Sequence, residues 1–314
     1  MQKVLISGIQ PTGILHIGNY FGAIKQFVDL QDSYESYVFI ADLHALTTVH
    51  DATQLKKNIF DIAAAYIACG LDPKKVTLFQ QSEIGGPLTE LTWMFNCITT
   101  TAYLERAHAY KDAEQKQKEP TMGLFDYPML MAADILMQDA DVVPVGADQK
   151  QHVEFARDTA QKFNRIWGET FKLPEPLIIE ATGIVPGVDG RKMSKSYGNT
   201  IPLFASDAEI EKAVMSIVTD SSGERPENVY AIHKLFRSEA ELADIYETHK
   251  GKYKALKEAL IIDLKAFVGP LREKYEALQK DPSIVEAILT DGAQRIRTRI
   301  EPKVLAIKKA TGLK

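Results

Sequence analysis

Two stretches of this chain hold residue types suited to phosphate chemistry. The first is Gly8-Ile9-Gln10-Pro11-Thr12-Gly13-Ile14-Leu15-His16-Ile17-Gly18-Asn19, directly after the apolar run Val4-Leu5-Ile6. Glycine lets a ligand approach the backbone and reaches positive φ cheaply. Ile17, Phe21, Ile24 and Val28 then recur at helical spacing. A strand, a glycine-rich turn and a helix start make an anion site, because free N–H groups and the positive dipole end face the ligand. His16 stands at its mouth and, when protonated, donates from both ring nitrogens. Taken singly, these residues also fit an ordinary strand–turn–helix with a capping histidine. The second stretch is Gly190-Arg191-Lys192-Met193-Ser194-Lys195-Ser196-Tyr197-Gly198-Asn199. Its glycines, serines and cations predict a mobile surface loop. Lys192 and Lys195 could close over a polyphosphate and offset charge developing on a leaving pyrophosphate. The bland alternative is a solvated basic loop.

These residues need a frame to bring them together. Val4–Ser7, Tyr37–Ala41, Val76–Gln80, Val142–Val145 and Leu177–Ile179 read as strands. Between them lie helical patterns, among them Leu55–Ala68, Leu88–Ile98 and Gln149–Phe163. Strands alternating with helices imply an α/β, Rossmann-like, doubly wound parallel sheet, whose ligands bind at the carboxyl ends of the strands. After Pro202 the pattern turns helical: Asp207–Thr219, Glu227–Arg237, Glu239–Thr248, Lys252–Gln279 interrupted at Gly269-Pro270, and Pro282–Lys309. The expected division is a catalytic domain over 1–203 and an α-helical domain over 204–314. The polar run 111–119 predicts an exposed helix end and connection.

Composition narrows the class. The 314 residues are 45% hydrophobic and 25% charged, in the globular range. The chain enters a strand at once without a signal-peptide layout, and no apolar run approaches membrane-spanning length. Cys69 and Cys97 lie in apolar contexts without CxxC spacing. They read as core thiols of a reducing compartment, which predicts a cytoplasmic location, and they cannot build a zinc or iron–sulfur site. Asp134 follows Tyr127, Leu130 and Met131 on an apolar helix, where a carboxylate needs a partner.

His16-Ile17-Gly18-Asn19 with Lys192-Met193-Ser194-Lys195-Ser196 resembles the paired HIGH and KMSKS motifs of class I aminoacyl-tRNA synthetases. An exact five-residue match arises by chance in a chain this long with odds of roughly one in ten thousand. Met131-Ala132-Ala133-Asp134-Ile135-Leu136, Val143-Pro144-Val145-Gly146-Ala147-Asp148-Gln149-Lys150-Gln151-His152 and Thr219-Asp220-Ser221 agree in order with the bacterial tryptophanyl-tRNA synthetase family. The resemblance implies activation of tryptophan by ATP, with Mg²⁺ on the phosphates, transfer to tRNA(Trp), anticodon reading by the 204–314 helical domain, and a homodimer that binds neither membrane nor DNA. It implies catalysis by His16, Lys192 and Lys195. ATP contacts would come from Gln10, Pro11, Thr12, Gly18, Asn19, Gly146, Ala147, Asp148, Ile184, Val185, Lys192, Met193, Ser194, Lys195, Ser196 and Lys111, with Lys116 as a rival to Lys111. Asp134 would accept the indole N–H. Ile6, Gly8, His44, Met131, Val143 and Val145 would line the ring, with Tyr127 and Gln149 at the α-ammonium and carboxylate. For each apolar member, plain core packing is the alternative.

The chain departs from the family at Ile184-Val185-Pro186-Gly187, where many members carry Met-Ser-Leu. A tyrosine-specific relative and a paralogue that binds nucleotide or RNA without aminoacylating are the competing readings. A tRNA binder needs cations for phosphates, yet the net charge is −5. Arg295, Arg297, Arg299, Lys303, Lys308 and Lys309 are the expected tRNA-facing group, against a solvated helix face.

Overall fold

The computed structural model describes residues 2–13, 15–108, 110–111, 119–146, 150–178, 185–219 and 225–314. Five parallel strands, β1 (Val4–Ile9), β2 (Glu35–Ile40), β3 (Val76–Gln80), β4 (Val142–Val145) and β5 (Glu175–Ile178), stand in the order β3-β2-β1-β4-β5. β1 pairs with β2 from Val4↔Glu35 to Ile9↔Ile40, and with β4 at Leu5↔Val142. The chain winds outward from β1 to β3, then returns to lay β4 on the other side of β1. That reversal is a switch point, so the crevice opens above the carboxyl ends of β1 and β4.

Strand side chains alternate between two cores. Val38 and Ile40 join Ile62 and Tyr66 of the Ala52–Ala68 helix on one face. Tyr37 and Phe39 join Leu88 and Phe95 of the Gly85–Ile98 helix, Ala132 and Leu136 of the Met122–Met137 helix, and Phe163 of the Lys150–Trp167 helix on the other. Burial on both faces is what a continuous parallel sheet requires.

The later chain folds as Asp207–Met215, Glu227–His233, Glu239–Thr248, Tyr253–Lys280 and Pro282–Ala310. Ser206 with Glu209 and Ser238 with Glu241 form capping boxes that start two of these helices. Three expectations are corrected here. The 207–219 helix stops at Met215, where Lys257 Nζ donates to the carbonyls of Met215 (2.9 Å) and Ile217 (2.8 Å). The 227–237 helix stops at His233. Gly269-Pro270 does not interrupt Tyr253–Lys280, since proline there removes one donor from a helix held by the packing of Leu260, Leu264 and Val268.

The helices after Pro202 contribute to both cores: Leu260, Leu264 and Val285 to the first, Ile296, Ile300 and Ile307 to the second. The last helix crosses β3 so closely that a Cβ on Gly292 would lie 1.7 Å from the Leu78 carbonyl oxygen. No helix among the described residues is long and apolar enough to cross a membrane. Cys69 is buried, and burial pushes its thiol up to about 12, but Cys97 is exposed, contrary to its expected place in the core. Cys97 falls near the end of the Gly85–Ile98 helix, on the turn away from buried Leu91, Met94 and Phe95.

Candidate active site

β1 ends at Ile9 and the glycine-rich turn begins at once. Thr12 N–H donates to the Gln10 carbonyl at 2.9 Å, and Gly13 takes φ 109°, the left-handed region that favours glycine. Asn58 Nδ2, from the Ala52–Ala68 helix, holds the Pro11 carbonyl at 2.9 Å. The helical run 17–30 starts immediately afterwards, with a π-turn over Tyr20–Ile24 that widens its first turns. Asn19 Oδ1 accepts from the His16 backbone N–H at 3.0 Å, so this residue caps the turn. His16 is buried, and its Nδ1 has no hydrogen-bond partner among the described residues. Burial, with the Lys195 charge second, lowers its pKa to about 4. The ring is therefore neutral at pH 7, and the double donation open to a protonated imidazole does not apply there.

The lysine-bearing loop lies directly on this turn. Lys195 Nζ donates to the Thr12 carbonyl at 3.3 Å, and burial lowers the Lys195 pKa. Met193 is buried and packs within 3.4 Å of where a Gly18 Cβ would stand. Behind the loop, Ile17 N–H donates to Ile201 O (3.0 Å) and Leu203 N–H to Leu15 O (3.0 Å). Asn199 sits inside the loop, almost fully buried. Its Oδ1 accepts from Ser194 N–H (2.8 Å), and its Nδ2 donates to Asp189 Oδ1 (2.7 Å) and Lys192 O (3.1 Å). A Cβ on Gly187 would fall 2.3 Å from that Nδ2. The Val185 carbonyl accepts from Met193 N–H at 2.8 Å, so it is engaged within the loop. Ser194 and Ser196 pair through their hydroxyls at 2.9 Å, while Lys192 is exposed.

Tyr127, Met131 and Asp134 recur at spacings of four and three on the Met122–Met137 helix, so they share one face. Asp134 is buried beneath the crevice. Gln81 Nε2 donates to its Oδ1 at 2.9 Å and its Oδ2 at 2.8 Å, and His44 Nε2 stands 3.0 Å from Oδ2. Burial raises the Asp134 pKa, against the hydrogen bonds from His44 and Gln81. The Tyr127 hydroxyl pairs with His152 Nε2 at 3.1 Å, and burial raises its pKa to about 12, which keeps it a neutral phenol at pH 7. Met131, Val145 and Tyr127 are half-buried, so they can present surface to a ligand, whereas Ile6 and Val143 are buried in the core beneath them. Gly8 has a structural reason of its own: a Cβ there would meet the Phe39 carbonyl at 2.4 Å.

The chain matches the family model of class I tRNA synthetases (W and Y) over residues 2–280. It is 49% identical over 320 residues to the tryptophan–tRNA ligase of Fusobacterium nucleatum, covering 99% of this chain and 98% of that protein. It is 46% identical to that of Rhodopirellula baltica, over 93% and 94% of the two chains. The crystal structure of tryptophanyl-tRNA synthetase from Campylobacter jejuni complexed with ADP and tryptophan superposes with a TM-score of 0.91 at 43% identity, covering 99% of this chain and 100% of that one. The chain belongs to the tryptophan–tRNA ligase family. As a tryptophan–tRNA ligase it is an aminoacyl-tRNA synthetase on a Rossmann-like sheet, and the tyrosine-specific and non-enzymatic readings fall away.

Around the crevice of this tryptophan–tRNA ligase, Gln10, Thr12 and Gly146 are exposed at strand ends, and Lys111 is exposed at the end of a short helix. Ile14, Lys116, Ala147, Asp148, Gln149, Ile184, Asp220 and Ser221 lie outside the described residues. Four polar residues escaped sequence reasoning: Gln81, Asn58, His152 in its bond to Tyr127, and Asn199 in its hold on the loop. His152 and Asn199 lie within stretches quoted from the sequence, but their bonds do not follow from those patterns; Gln81 and Asn58 belong to no pattern, and only their burial against distant partners reveals them.

The expected tRNA-facing cations need correction. Arg295 Nη2 donates to Pro73 O (2.8 Å) and Val76 O (3.2 Å). Arg297 pairs with Glu83, Arg299 stands over the Tyr37 ring at 5.7 Å, Lys303 holds Asp139 and the Thr170 carbonyl at 2.5 Å each, and Lys308 pairs with Glu90 at 2.7 Å. These five side chains fasten the last helix against the sheet, while Lys309, the sixth of the group, is exposed.

Proposed function

We propose that this chain binds ATP on the 10–19 turn and beneath the Lys192–Ser196 loop, with L-tryptophan alongside over Asp134, and joins them as tryptophanyl-adenylate. The tryptophan carboxylate attacks the α-phosphorus in line, the bond to the bridging oxygen breaks, and pyrophosphate leaves. The attacking group is already an anion, so no protein nucleophile or base is needed, and catalysis is positioning plus charge stabilisation. The observation that carries this reading is the Lys195 ammonium lying 3.3 Å from the Thr12 carbonyl, which seats the cationic loop on the glycine-rich turn. His16 supplies a hydrogen bond, and Lys192 and Lys195 supply charge for the departing pyrophosphate.

Gly146, with Asp148 beyond it, meets the ribose; Lys111 reaches the phosphates. The indole N–H bonds to Asp134, and Tyr127 and Gln149 hold the amino-acid end. Mg²⁺ would come in on the ATP phosphates, where it would spread their charge. A tRNA(Trp) 2′ or 3′ hydroxyl then attacks the mixed anhydride and releases AMP, with the 204–314 helices reading the anticodon. The enzyme works in the cytoplasm as a homodimer, for which Trp93 and Met122, exposed on two helices that pack together, offer apolar surface.

Amino-acid-dependent ATP–pyrophosphate exchange, run with each of the twenty amino acids, tests this reading. Exchange with tryptophan well above every other amino acid is expected. Exchange with tyrosine instead, or with none, overturns it.

A further inference from the structure

Gln81 is the first residue after β3, at the start of the 3₁₀ turn Gln81–Ile84, and it is wholly buried. A buried primary amide must find partners for its oxygen and its nitrogen. The oxygen end is turned to the backbone: Leu43 N–H, shared with Asp42 Oδ1 at 3.0 Å, donates to Gln81 Oε1 at 3.1 Å. That bond decides which end is nitrogen and turns Nε2 toward Asp134. Nε2 then straddles the carboxylate, 2.9 Å from Oδ1 and 2.8 Å from Oδ2. His44 adds a third bond, at Oδ2 only.

An sp² carboxylate oxygen accepts two hydrogen bonds. Oδ2 has both partners, Gln81 and His44. Oδ1 has one among the described residues, Gln81. One acceptor direction on Oδ1 is therefore left for a ligand. The turn that holds Gln81 is itself braced: Asp42 accepts from Leu43 N–H (3.0 Å), Ser82 N–H (3.0 Å) and Gln80 Nε2 (2.7 Å). A donor this well anchored sets the carboxylate plane, which His44 alone, bonded to one oxygen, leaves free to rotate about χ2.

We infer that Gln81 is the positioning residue that sets tryptophan specificity, by aiming Asp134 Oδ1 at the indole N–H; this rests on the reading of Asp134 as the indole acceptor. Gln81 touches no substrate. It keeps one lone pair unfilled and pointed, so that a ring without an N–H leaves a buried acceptor unpaired. A site of that kind rejects such a ring by up to about 10⁴–10⁵.

The test compares kcat/KM for tryptophan with that for its benzothiophene analogue, in which sulfur replaces the N–H, using pyrophosphate exchange by the full-length enzyme. Wild type, Gln81→Met and Asp134→Ala are measured together, with thermal melts. Gln81→Met is expected to lower the tryptophan-to-analogue ratio at least tenfold, through a higher KM for tryptophan, with KM for the analogue and for ATP held. Merely structural damage would lower both substrates together and leave the ratio alone. A wild-type ratio in Gln81→Met beside a collapsed ratio in Asp134→Ala overturns the role of Gln81 and leaves Asp134 as acceptor. A wild-type ratio in both variants overturns the Asp134 reading itself. Should Gln81→Met fail to fold, Gln81→Asn, which keeps the amide and withdraws it by one methylene, is expected to lower the ratio in the same way, and an unchanged ratio there is equally contradictory.

Discussion

His16 enters the site uncharged. Its pKa of about 4 comes from burial first and the neighbouring Lys195 second, so at neutral pH it is uncharged, and in the proposed mechanism it brings a hydrogen bond while the lysines bring the positive charge. This division suits a nucleotide site: an ammonium screens phosphate at range, while a neutral imidazole orients one oxygen. The depressed value has a consequence for folding. The unfolded chain takes up a proton on His16 near pH 6.5, and the folded chain does not until about pH 4. Stability from this residue is therefore complete above pH 6.5 and is lost as pH falls toward 4, by about 2 kcal/mol at pH 5. Urea unfolding at pH 7 and pH 5 should show wild type losing about 2 kcal/mol more than His16→Gln. His233, whose pKa burial also lowers, is common to both proteins and cancels in the difference. Equal losses in the two would contradict the neutral assignment. At the same scale, Asp134 stood out in the sequence as a carboxylate on an apolar helix, and the family resemblance named His44 beside the ring; the bond from His44 to Asp134 and the part played by Gln81 were not legible, because both residues lie far away along the chain.

The loop over 186–199 is an element with an internal brace. Three bonds from one buried amide, that of Asn199, tie Asp189, Lys192 and Ser194 together, and Gly187 leaves the space that amide fills. With the brace in place Lys195 rests on Thr12; without it the lysines lose their fixed relation to the turn. Asn199→Ala should expose the loop, so trypsin should cut after Arg191, Lys192 or Lys195 several-fold faster than in wild type under native conditions. A cleavage rate equal to wild type would show that the brace does not hold the loop. The lysines and serines of this element were readable as a basic loop, and β1 with its glycine turn was readable as strand and anion site, because both signals are local. The hold of Asn199 was not, since an asparagine beside a glycine reads as an ordinary turn residue.

Across the whole molecule the division at Pro202 is one of pattern more than of packing. The strand–helix alternation ends there, as expected, yet Leu260, Val285, Ile296 and Ile300 complete the two cores of the sheet. Periodicity identified those apolar faces but not their partner, because a helix stripe looks alike whether it meets another helix or a sheet. The same limit misplaced the cations of the last helix: a row of arginines reads as free charge until Pro73, Glu83, Asp139 and Glu90 are found opposite them. What the fold achieves is contact between the glycine-rich turn and the lysine-bearing loop, which lie far apart along the chain; in the proposed mechanism the lysines of one act on the charge that develops above the other. Single-turnover formation of tryptophanyl-adenylate by wild type, Lys192→Ala and Lys195→Ala, followed across a range of ATP concentrations, tests that most directly. The saturated rate should fall by about 10²–10³ in each variant, while the ATP dissociation constant changes by less than about tenfold. A dissociation constant raised in full proportion, with the saturated rate held at the wild-type value, would contradict it.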